Sequence, residues 1–218
     1  MFARIAQRYD LMNMLMTGGQ DMRWRRLLLD QAKLPPGAYL LDIGTGTGDI
    51  AAAALKRSPG VISIGADFTV EMMRVGMRSK AGRGVFWVGS DALELPFPEG
   101  SFDAVASGFL IRNVVDLPRV LGEQYRVLRP GGRIVCLDTT PPPDGWLRPL
   151  ITFHMHTVIP ALGGLIAGHR DAYAYLSGST DNFLPAEVLA EKMRAAGFHH
   201  VGFRRVMFQT VALHWGVK

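Results

Sequence analysis

Residues 39–50, YLLDIGTGTGDI, combine a short apolar run, a turn with three glycines and the start of a helix. The glycines allow positive φ angles and let a ligand approach main-chain atoms that a Cβ would block. A dinucleotide-binding turn, G-x-G-x-x-G, would need its third glycine where this chain has Asp49. Asp42 and Asp49 also place negative charge on both sides of a helix N-terminus that would otherwise attract a phosphate. The stretch therefore predicts a nucleotide-type turn for a cationic ligand, and a tight turn without a ligand is the alternative.

The turn DIGTGTGD, residues 42–49, resembles the first motif of the seven-strand (class I) methyltransferases. This resemblance implies S-adenosylmethionine as the ligand and S-adenosylhomocysteine as its product. Asp67 ends the second predicted strand, where an acidic side chain can accept hydrogen bonds from both ribose hydroxyls. Asp91, after the third strand, would contact the adenine, with a plain surface turn as the alternative. The predicted cofactor-binding residues are Asp42, Gly44, Thr45, Gly46, Thr47, Gly48, Asp67, Phe68, Asp91, Ala92 and Gly108.

Length and composition favour one α/β domain in a reducing compartment. The 218 residues can bury a substantial core but are few for two domains. Cys136, the single cysteine, lies in an apolar run, which excludes a disulfide framework and a thiolate metal cluster. Charged residues near the N-terminus do not fit a signal peptide, so we expect a cytoplasmic protein. The net charge of +5 suits nucleic acid, an anionic membrane surface or ordinary solubility.

The spacing of apolar residues gives the order of elements. It predicts an N-terminal helix over 2–16 and a second helix capped by Asp21, both within 1–34. The second helix carries Trp24 within a basic run, residues 23–26, which is typical of a membrane-surface helix or of an ordinary amphipathic helix. From residue 38, strands and helices alternate, which predicts a parallel sheet with crossover helices. Its five strands are predicted at 38–43, 61–66, 85–88, 102–106 and 133–137.

Two late strands, at 201–207 and 210–215, share a short connection and suggest an antiparallel edge. We therefore predict an α/β class I methyltransferase (Rossmann-like) fold with a seven-stranded, mostly parallel sheet, N-terminal helices and a helical lid insertion. The uncharged run 150–167 is long enough for a membrane span, but its histidines, proline and glycines favour a buried helix pair or an apolar lid. The single domain, 1–218, divides into N-terminal helices (1–34), a cofactor-binding core (38–140), a helical lid (144–182) and a late helix with closing strands (185–218).

The chain also resembles a more narrowly defined family. FDAVASGFLIRNV (102–114) and YRVLRPGGRIVCLD (125–138) are similar to the quinone-pathway C-methyltransferases of the UbiE and MenG family. The matching runs FARIAQRYDLMN, LPFPEGSFD, LGGLIAGHRDAYAYL and AGFHHVGFRRVMFQTVALHWGVK extend the resemblance over nearly the whole chain. The resemblance implies a methyl-donor site and a lipophilic quinol substrate, with Arg112 and Asn113 facing that substrate.

Some residues depart from the family pattern. Family members usually read SFGLRN where this chain has GFLIRN, residues 108–113. Gly108 replaces a serine expected near the cofactor, and Leu110 replaces a glycine. The FPD that commonly precedes the late helix is FLP here, residues 183–185. These changes are compatible with the cofactor and leave another apolar phenolic small molecule as the alternative substrate.

Methylation of a ring carbon of a hydroquinone needs the phenolate, because the phenolate raises electron density on the adjacent carbon. A phenol has a pKa of about 10, so ionisation at pH 7 costs roughly 3 pH units, or about 4 kcal/mol. Arg112 can stabilise the phenolate and orient a water that takes the proton, with Asn113 and Tyr9 as hydrogen-bond partners. The alternative for Arg112 is a structural ion pair with Asp116.

The histidines offer a base but no metal site. His154, His156 or His169 is a candidate base on the lid, and His154 and His169 are predicted to contact the substrate. His154 and His156 are two residues apart and cannot share a helix face, whereas His199 and His200 would alternate across a strand. We therefore predict no metal site.

Other functional classes are alternatives to a quinol methyltransferase. A nucleic-acid methyltransferase is disfavoured, because the fourth strand lacks the Asn/Asp-Pro-Pro-aromatic signature and Cys136 lies within a strand. A non-catalytic S-adenosylmethionine-binding module would differ from an enzyme only in turnover. A substrate with an isoprenoid tail lies in the membrane, so the protein would need peripheral contact with the anionic inner face of the cell membrane. The predicted contact segments are residues 150–167 and 23–26. A homodimer is a further expectation.

Overall fold

The computed structural model describes residue 17, residues 19–142, residue 157 and residues 183–218. Within these ranges one mixed sheet has the strand order β3-β2-β1-β4-β5-β7-β6. Strands β1 to β5 are parallel, and β7 is antiparallel to β5 and β6, which confirms the predicted sheet with its antiparallel edge. The strands are β1 (Tyr39–Ile43), β2 (Ile62–Asp67), β3 (Phe86–Gly89), β4 (Phe102–Gly108), β5 (Leu128–Thr139), β6 (His199–Val206) and β7 (Val211–Val217). The helices are α1 (Asp21–Ala32), α2 (Asp49–Arg57), α3 (Val70–Arg78), α4 (Leu117–Val127) and α5 (Ala186–Ala195), with a 3-10 turn at Ile111–Asn113.

Alternate residues of the central strands contribute to two apolar layers. On β1, Leu40 packs in a cluster with Trp24 and Leu28 of α1, whereas Leu41 belongs to a cluster on the opposite face with Leu121 of α4. Residues 40–43 are all buried, as expected for a strand with helices on both faces. The glycine turn follows β1 directly, so the two layers fix its position at the carboxyl edge of the sheet.

Strand β5 extends beyond its predicted range, 133–137, at both ends. Its pairing with β4 shifts register between Phe102 and Ala104, and the shift accommodates residues 129–132, RPGG. Proline and two glycines favour a turn in the sequence, but hydrogen bonding to the neighbouring strand continues on both sides of them. The long strand carries Asp138 to the carboxyl edge of the sheet.

Helix α1 departs from its prediction in two ways. Gln20 occupies the N-cap position, so Asp21 is the first helical residue and not the cap. Asp21 instead pairs with Arg25 one turn later, at 2.8 Å. Trp24 is buried against the sheet, so the expectation that it faces a membrane is wrong. The apolar stripe of this helix serves the core, as in an ordinary amphipathic helix.

The neighbouring histidines of β6, His199 and His200, are both exposed. The pairing of β6 with β7 shifts register after His199, and His200 has a φ of 49° at this irregularity. The alternation of the two side chains across the strand stays a prediction.

The predicted N-terminal helix over 2–16 and nearly all of the lid insertion at 144–182, with the apolar run 150–167, lie outside the described residues. In the part of the chain that the structure describes, no helix has both the length and the hydropathy needed to cross a membrane.

Candidate active site

The loops that carry the predicted site residues meet at the carboxyl edge of the sheet. The glycine turn follows β1, Asp67 ends β2, and the 3-10 turn with Arg112 and Asn113 follows β4. The strand order reverses at β1, which lies between β2 and β4. In open α/β sheets the crevice at such a reversal is the usual position of a ligand.

The backbone of the glycine turn has positive φ angles at its three glycines. Gly44, Gly46 and Gly48 have φ angles of 66°, 57° and 84°, a region that strains residues with a Cβ. The amides of Gly44 and Thr45 both donate to Ala66 O, at 2.8 and 3.1 Å, and so attach the turn to β2. Gly48 is the N-cap of α2. The three glycines thus allow the chain to pass from β1 into α2 within a few residues.

Asp42 holds this turn from inside the protein. It is buried, and its Oδ2 accepts hydrogen bonds from Thr45 Oγ1 at 2.7 Å and from Ala51 N at 3.1 Å. Burial raises the pKa of Asp42 to about 7, because the hydrogen bonds from Thr45 and Ala51 offset only part of the desolvation. The nearby carboxylates of Asp49 and Asp67 also raise this pKa. A cationic ligand at the turn would favour the ionised form of Asp42.

Two of the three glycines accommodate neighbouring side chains. A Cβ at Gly44 would lie 3.0 Å from Leu110 Cδ1, and a Cβ at Gly48 would lie 2.3 Å from Trp87 Cη2. At Gly46 the nearest atom to such a Cβ is Met72 Cε at 3.4 Å, an ordinary contact. The approach of a ligand to the main chain at all three glycines stays a prediction, and Gly46 is the one of the three where an added Cβ would have room.

The second negative charge predicted at the turn is paired. Arg25 Nη2 lies 2.7 Å from Asp49 Oδ2 and 2.8 Å from Asp21 Oδ2. Arg25 thus joins α1 to the first residue of α2, next to the glycine turn. Because Arg25 offsets its charge, Asp49 attracts a cationic ligand less than the sequence alone suggests.

Asp67 ends β2 and Phe68 follows it, and both are predicted cofactor-binding residues. Asp67 Oδ2 accepts from Gly46 N at 2.7 Å, and Oδ1 accepts from Thr69 N at 2.6 Å. A carboxylate has about four acceptor positions, so both oxygens retain capacity for two hydroxyls. Phe68, the next residue, is 80% exposed. An aromatic ring at this position can stack on a purine, and this contact stays a prediction.

Asp91 and Ala92 lie in a turn after β3, with the side chain of Asp91 exposed. Asp91 Oδ1 accepts from Leu93 N at 2.9 Å, a hydrogen bond typical of an aspartate that starts a turn. The turn that was the alternative for Asp91 is therefore present. An adenine contact would use the carboxylate oxygen that faces away from Leu93, and it stays a prediction.

The family departures at 108 and 110 have packing explanations. A Cβ at Gly108 would lie 2.9 Å from Ile50 Cδ1, so the first turn of α2 occupies the space of the expected serine. Leu110 packs against Gly44 and against the apolar layer that contains α4. The loop after β4 thus contacts the glycine turn through Leu110 and contacts α2 at Gly108.

Arg112 forms a buried ion pair that the sequence did not predict. Its Nη1 lies 2.7 Å from Asp138 Oδ1, and the two side chains are 4% and 1% exposed. Asp116, the partner considered from the sequence, instead caps α4 by accepting from Arg119 N at 3.1 Å. The alternative pairing of Arg112 with Asp116 is therefore wrong. The guanidinium Nε is buried and has no hydrogen-bond partner among the described residues.

Asn113 and Phe109 complete the loop around Arg112. Asn113 Nδ2 donates to Phe109 O at 3.0 Å, and its Oδ1 is buried without a partner in the described ranges. Phe109 has a φ of 58°, unusual for an aromatic residue, and its ring lies 5.1 Å from the Arg112 guanidinium. Arg112 Nε and Asn113 Oδ1 thus lack hydrogen-bond partners among the described residues, in a buried loop beside the glycine turn.

The sequence did not indicate the burial of two ionisable residues, Asp138 and His214. Asp138 ends the apolar run IVCL, and a charge at the end of a strand was the available signal. His214 on β7 is buried, with Nε2 2.9 Å from Ala186 O. Burial lowers the pKa of His214, which favours the neutral ring. Since β7 places it between the sheet and α5, His214 is a core residue.

Several predicted site residues lie outside the described ranges, namely Tyr9, His154, His156 and His169. Thr47 is described and mostly buried within the turn. Cys136 is a buried free thiol on β5, and burial raises its pKa to about 12. Among the described residues no group of three or more His, Cys, Asp or Glu side chains is arranged to hold a metal ion.

Comparison with known proteins gives a family for the whole chain. A model of the ubiE/COQ5 methyltransferase family matches residues 1–218. The chain is 50% identical to the ubiquinone/menaquinone biosynthesis C-methyltransferase UbiE of Desulfotalea psychrophila, over 100% of this chain and 89% of that protein. It is 44% identical to the demethylmenaquinone methyltransferase of Thermus thermophilus, over 99% of each chain.

Solved structures share the fold at lower identity. A SAM-dependent methyltransferase from Thermotoga maritima superposes with a TM-score of 0.67 and 22% identity, over 100% of this chain and 98% of that one. Phosphoethanolamine N-methyltransferase 2 of Haemonchus contortus, in complex with S-adenosyl-L-methionine, gives a TM-score of 0.66 and 17% identity, over 90% and 52% of the chains. At these identities the likeness concerns the fold alone.

Proposed function

This chain belongs to the ubiE/COQ5 methyltransferase family, and we propose that it methylates a ring carbon of a prenylated hydroquinone in menaquinone or ubiquinone biosynthesis. The methyl donor is S-adenosylmethionine, and S-adenosylhomocysteine is the product. The names of the relatives from Desulfotalea psychrophila and Thermus thermophilus support this acceptor class. The observation that carries the proposal is the buried guanidinium of Arg112, with its Nε unpaired in the described structure, at the end of β4 beside the glycine turn.

The donor side of the site supports S-adenosylmethionine through its shape and charge. This molecule supplies a methyl group on a positively charged sulfur. Asp67 offers acceptors for the ribose hydroxyls, Phe68 offers an exposed ring for the adenine, and Gly46 gives access to the main chain. Asp42, close beneath the turn residue Thr45, favours a cation when it is ionised.

The acceptor side needs a group that stabilises a phenolate. Loss of the phenolic proton at pH 7 costs about 4 kcal/mol, and a fixed hydrogen-bond donor in a dry site can supply much of that. Arg112 Nε is such a donor, and Asn113 Oδ1 can hold a water that accepts the proton. Tyr9 is proposed as a further hydrogen-bond partner, and His154 and His169 as substrate contacts. The proposed base is His154, His156 or His169. After methyl transfer the ring carbon loses its hydrogen as a proton, which restores the aromatic hydroquinone.

The decisive experiment is methyl transfer from S-adenosylmethionine to reduced demethylmenaquinone and to a reduced ubiquinone precursor. We expect turnover with at least one of them and none with the oxidised quinone, because only the hydroquinone can form a phenolate. Turnover restricted to short phenols without a prenyl tail would favour the alternative acceptor class. Binding of the donor without any turnover would favour the non-catalytic module.

The role of Arg112 has its own test. Arg112→Gln is expected to lower turnover by about 10² to 10³, the usual effect of one preorganised electrostatic group, and to leave donor affinity nearly unchanged. Raising the assay pH toward 9 should recover part of the loss, since the deficit lies in forming the phenolate. A lower melting temperature is expected in any case, because the change leaves Asp138 buried without its partner. Weaker donor binding with no recovery of turnover at high pH would contradict this role.

We also propose a peripheral contact with the anionic inner face of the cell membrane. Trp24 is buried and takes no part, but α1 exposes Met22, Arg23 and Arg26. Exposed basic residues next to an apolar one can attract a surface of anionic lipid. Co-sedimentation with liposomes rich in phosphatidylserine should weaken with salt and with Arg23→Glu plus Arg26→Glu. Lys80→Glu plus Arg83→Glu, an equal charge change at two exposed positions before β3, is the matched control, and equal effects of both double changes would reject the surface.

A cytoplasmic location, a homodimer and the absence of a nucleic-acid partner stay proposals. Cell fractionation with and without a high-salt wash tests the location and the membrane contact together. Light scattering coupled to gel filtration tests the dimer. Gel-shift assays with RNA and DNA test the third point.

A further inference from the structure

Asp138 is the centre of a group of hydrogen bonds that restrain Arg112. Its Oδ1 accepts from Arg112 Nη1 at 2.7 Å and from Thr139 N at 2.8 Å, and its Oδ2 accepts from Arg112 N at 3.1 Å. One carboxylate therefore binds both the main chain and the side chain of Arg112. Because the side chain of Asp138 is 1% exposed, water does not compete for these bonds.

The remaining sides of the guanidinium are restrained differently. Its face lies 5.1 Å from the ring of Phe109, whose own amide donates to Leu137 O at 2.7 Å. Its Nε is buried and has no partner among the described residues. A buried donor without an acceptor is unfavourable, and a donor on a charged group especially so. The structure thus fixes Arg112 through one edge and one face and leaves another donor unused.

The buried pair also limits what Arg112 can do by charge. Asp138 and Arg112 together carry no net charge. A ligand beside Arg112 would therefore interact mainly through a directional hydrogen bond from Nε and less through attraction to a free positive charge. A directional hydrogen bond depends strongly on position, with errors of about 0.5 Å already harmful in preorganised sites. The benefit of Arg112 should then depend on the residue that holds it.

We propose that Asp138 is a positioning residue, which anchors the Nη1 edge of Arg112 so that Nε is free to donate to the hydroxyl oxygen of the acceptor. This inference rests on the proposed methyl transfer to a hydroquinone. Asp138 does not contact the acceptor in this account and acts only through Arg112. The β5 strand supplies the required rigidity, since Asp138 is paired with Ala212 of β7.

A double-mutant cycle with Asp138→Asn and Arg112→Gln tests this dependence. In the wild-type background Asp138→Asn should lower kcat by about 10- to 100-fold, because the amide nitrogen cannot accept from Arg112 N. The KM and Kd for S-adenosylmethionine should stay within about twofold. In the Arg112→Gln background the same change should alter kcat less than about threefold, since no guanidinium remains to be positioned.

Asp116→Asn is the matched control. It removes the same charge within four residues of Arg112 and retains a good cap for α4, so kcat should be unchanged. Equal losses from Asp138→Asn in both backgrounds would show a merely structural residue and overturn the inference. A faster Asp138→Asn enzyme would also overturn it, because the charge of Asp138 would then matter more than its anchoring.

Melting temperatures of all four proteins show whether each is folded at the assay temperature. If Asp138→Asn is not, Asp138→Glu replaces it, which keeps the charge and displaces the carboxylate by one methylene. A loss of kcat that disappears in the Arg112→Gln background supports the inference, and a loss that persists overturns it. Absence of turnover by the wild-type protein would instead reject the proposed function, so the two failures are distinguishable.

Discussion

Asp42 and Asp138 are both buried at the carboxyl edge of the sheet, but different groups compensate their burial. Asp42 accepts from Thr45 Oγ1 and Ala51 N, three and nine residues further along the chain, and no cation pairs with it in the described structure. Asp138 accepts from Arg112, 26 residues earlier, and shares a buried ion pair with it. Burial raises the pKa of Asp42 to about 7, since hydrogen bonds alone offset only part of the desolvation.

The difference separates two ways of building a site. At Asp42 the chain leaves a partly compensated carboxylate below a turn that would bind a cationic donor. At Asp138 the carboxylate is used within the protein to fix a guanidinium. The carboxylate of Asp42 can thus still stabilise a cationic methyl donor. The carboxylate of Asp138 instead fixes the position of the Arg112 guanidinium.

The largest expected effect is on stability at the paired site. Asp138→Ala leaves the Arg112 charge buried without its partner and should lower the free energy of unfolding by about 3 to 5 kcal/mol. Urea denaturation measures the change. Asp30→Ala, which removes an exposed partner of Arg57, should cost about 1 kcal/mol or less. Similar costs at both sites would mean that the Arg112–Asp138 pair is not desolvated.

The next effect concerns the pH dependence due to Asp42. Its pKa is about 7 in the folded protein and near 3.8 when unfolded, so the folded state binds more protons between these values. The free energy of unfolding should therefore fall as pH rises from 4 to 7, by up to about 4 kcal/mol from this group. Asp42→Asn should remove this dependence, as measured by urea denaturation at pH 5 and pH 8. An unchanged slope in the variant would assign the dependence to other groups.

Asp67→Ala should weaken donor binding at least about tenfold, because it removes charge-assisted hydrogen bonds to the ribose. Isothermal titration calorimetry measures the affinity. Asp91→Ala is the comparison variant, and its loss should be smaller since Asp91 is exposed and its interactions are screened. Unchanged affinity in Asp67→Ala would exclude this carboxylate from the donor site.

The smallest expected effect is at Gly108. Gly108→Ser restores the family residue but brings a Cβ to 2.9 Å from Ile50 Cδ1, so a cost of about 1 kcal/mol is expected because that methyl can move. The melting temperature should fall slightly, and Ile50→Val in the same protein should restore it. A loss that Ile50→Val does not relieve would show that another contact requires the glycine.

Local sequence patterns were sufficient to predict much of the structure around the glycine turn. The glycine turn, the position of Asp67 at the end of β2 and the succession of strands along the chain were predicted correctly, because glycine conformation, strand ends and periodicity depend on neighbouring residues. The contacts of Leu110 with Gly44 and of Trp87 with Gly48 were not predicted, because each contact joins segments that are far apart in the chain. Trp24 was ambiguous for the same reason: a tryptophan in a basic helix suits a membrane or a core until the sheet beside it is known.

The sequence by itself determined the fold class, the family and the position of the glycine turn, because each follows from runs of residues that are contiguous in the chain. Only the tertiary structure decided the partner of Arg112. Asp116 lies four residues away and caps a helix, whereas Asp138 lies 26 residues away and is brought beside Arg112 by the parallel pairing of β4 with β5. The physical reason is that a buried charge takes whichever partner the sheet places within hydrogen-bond distance, and strand register, not separation along the chain, sets that distance.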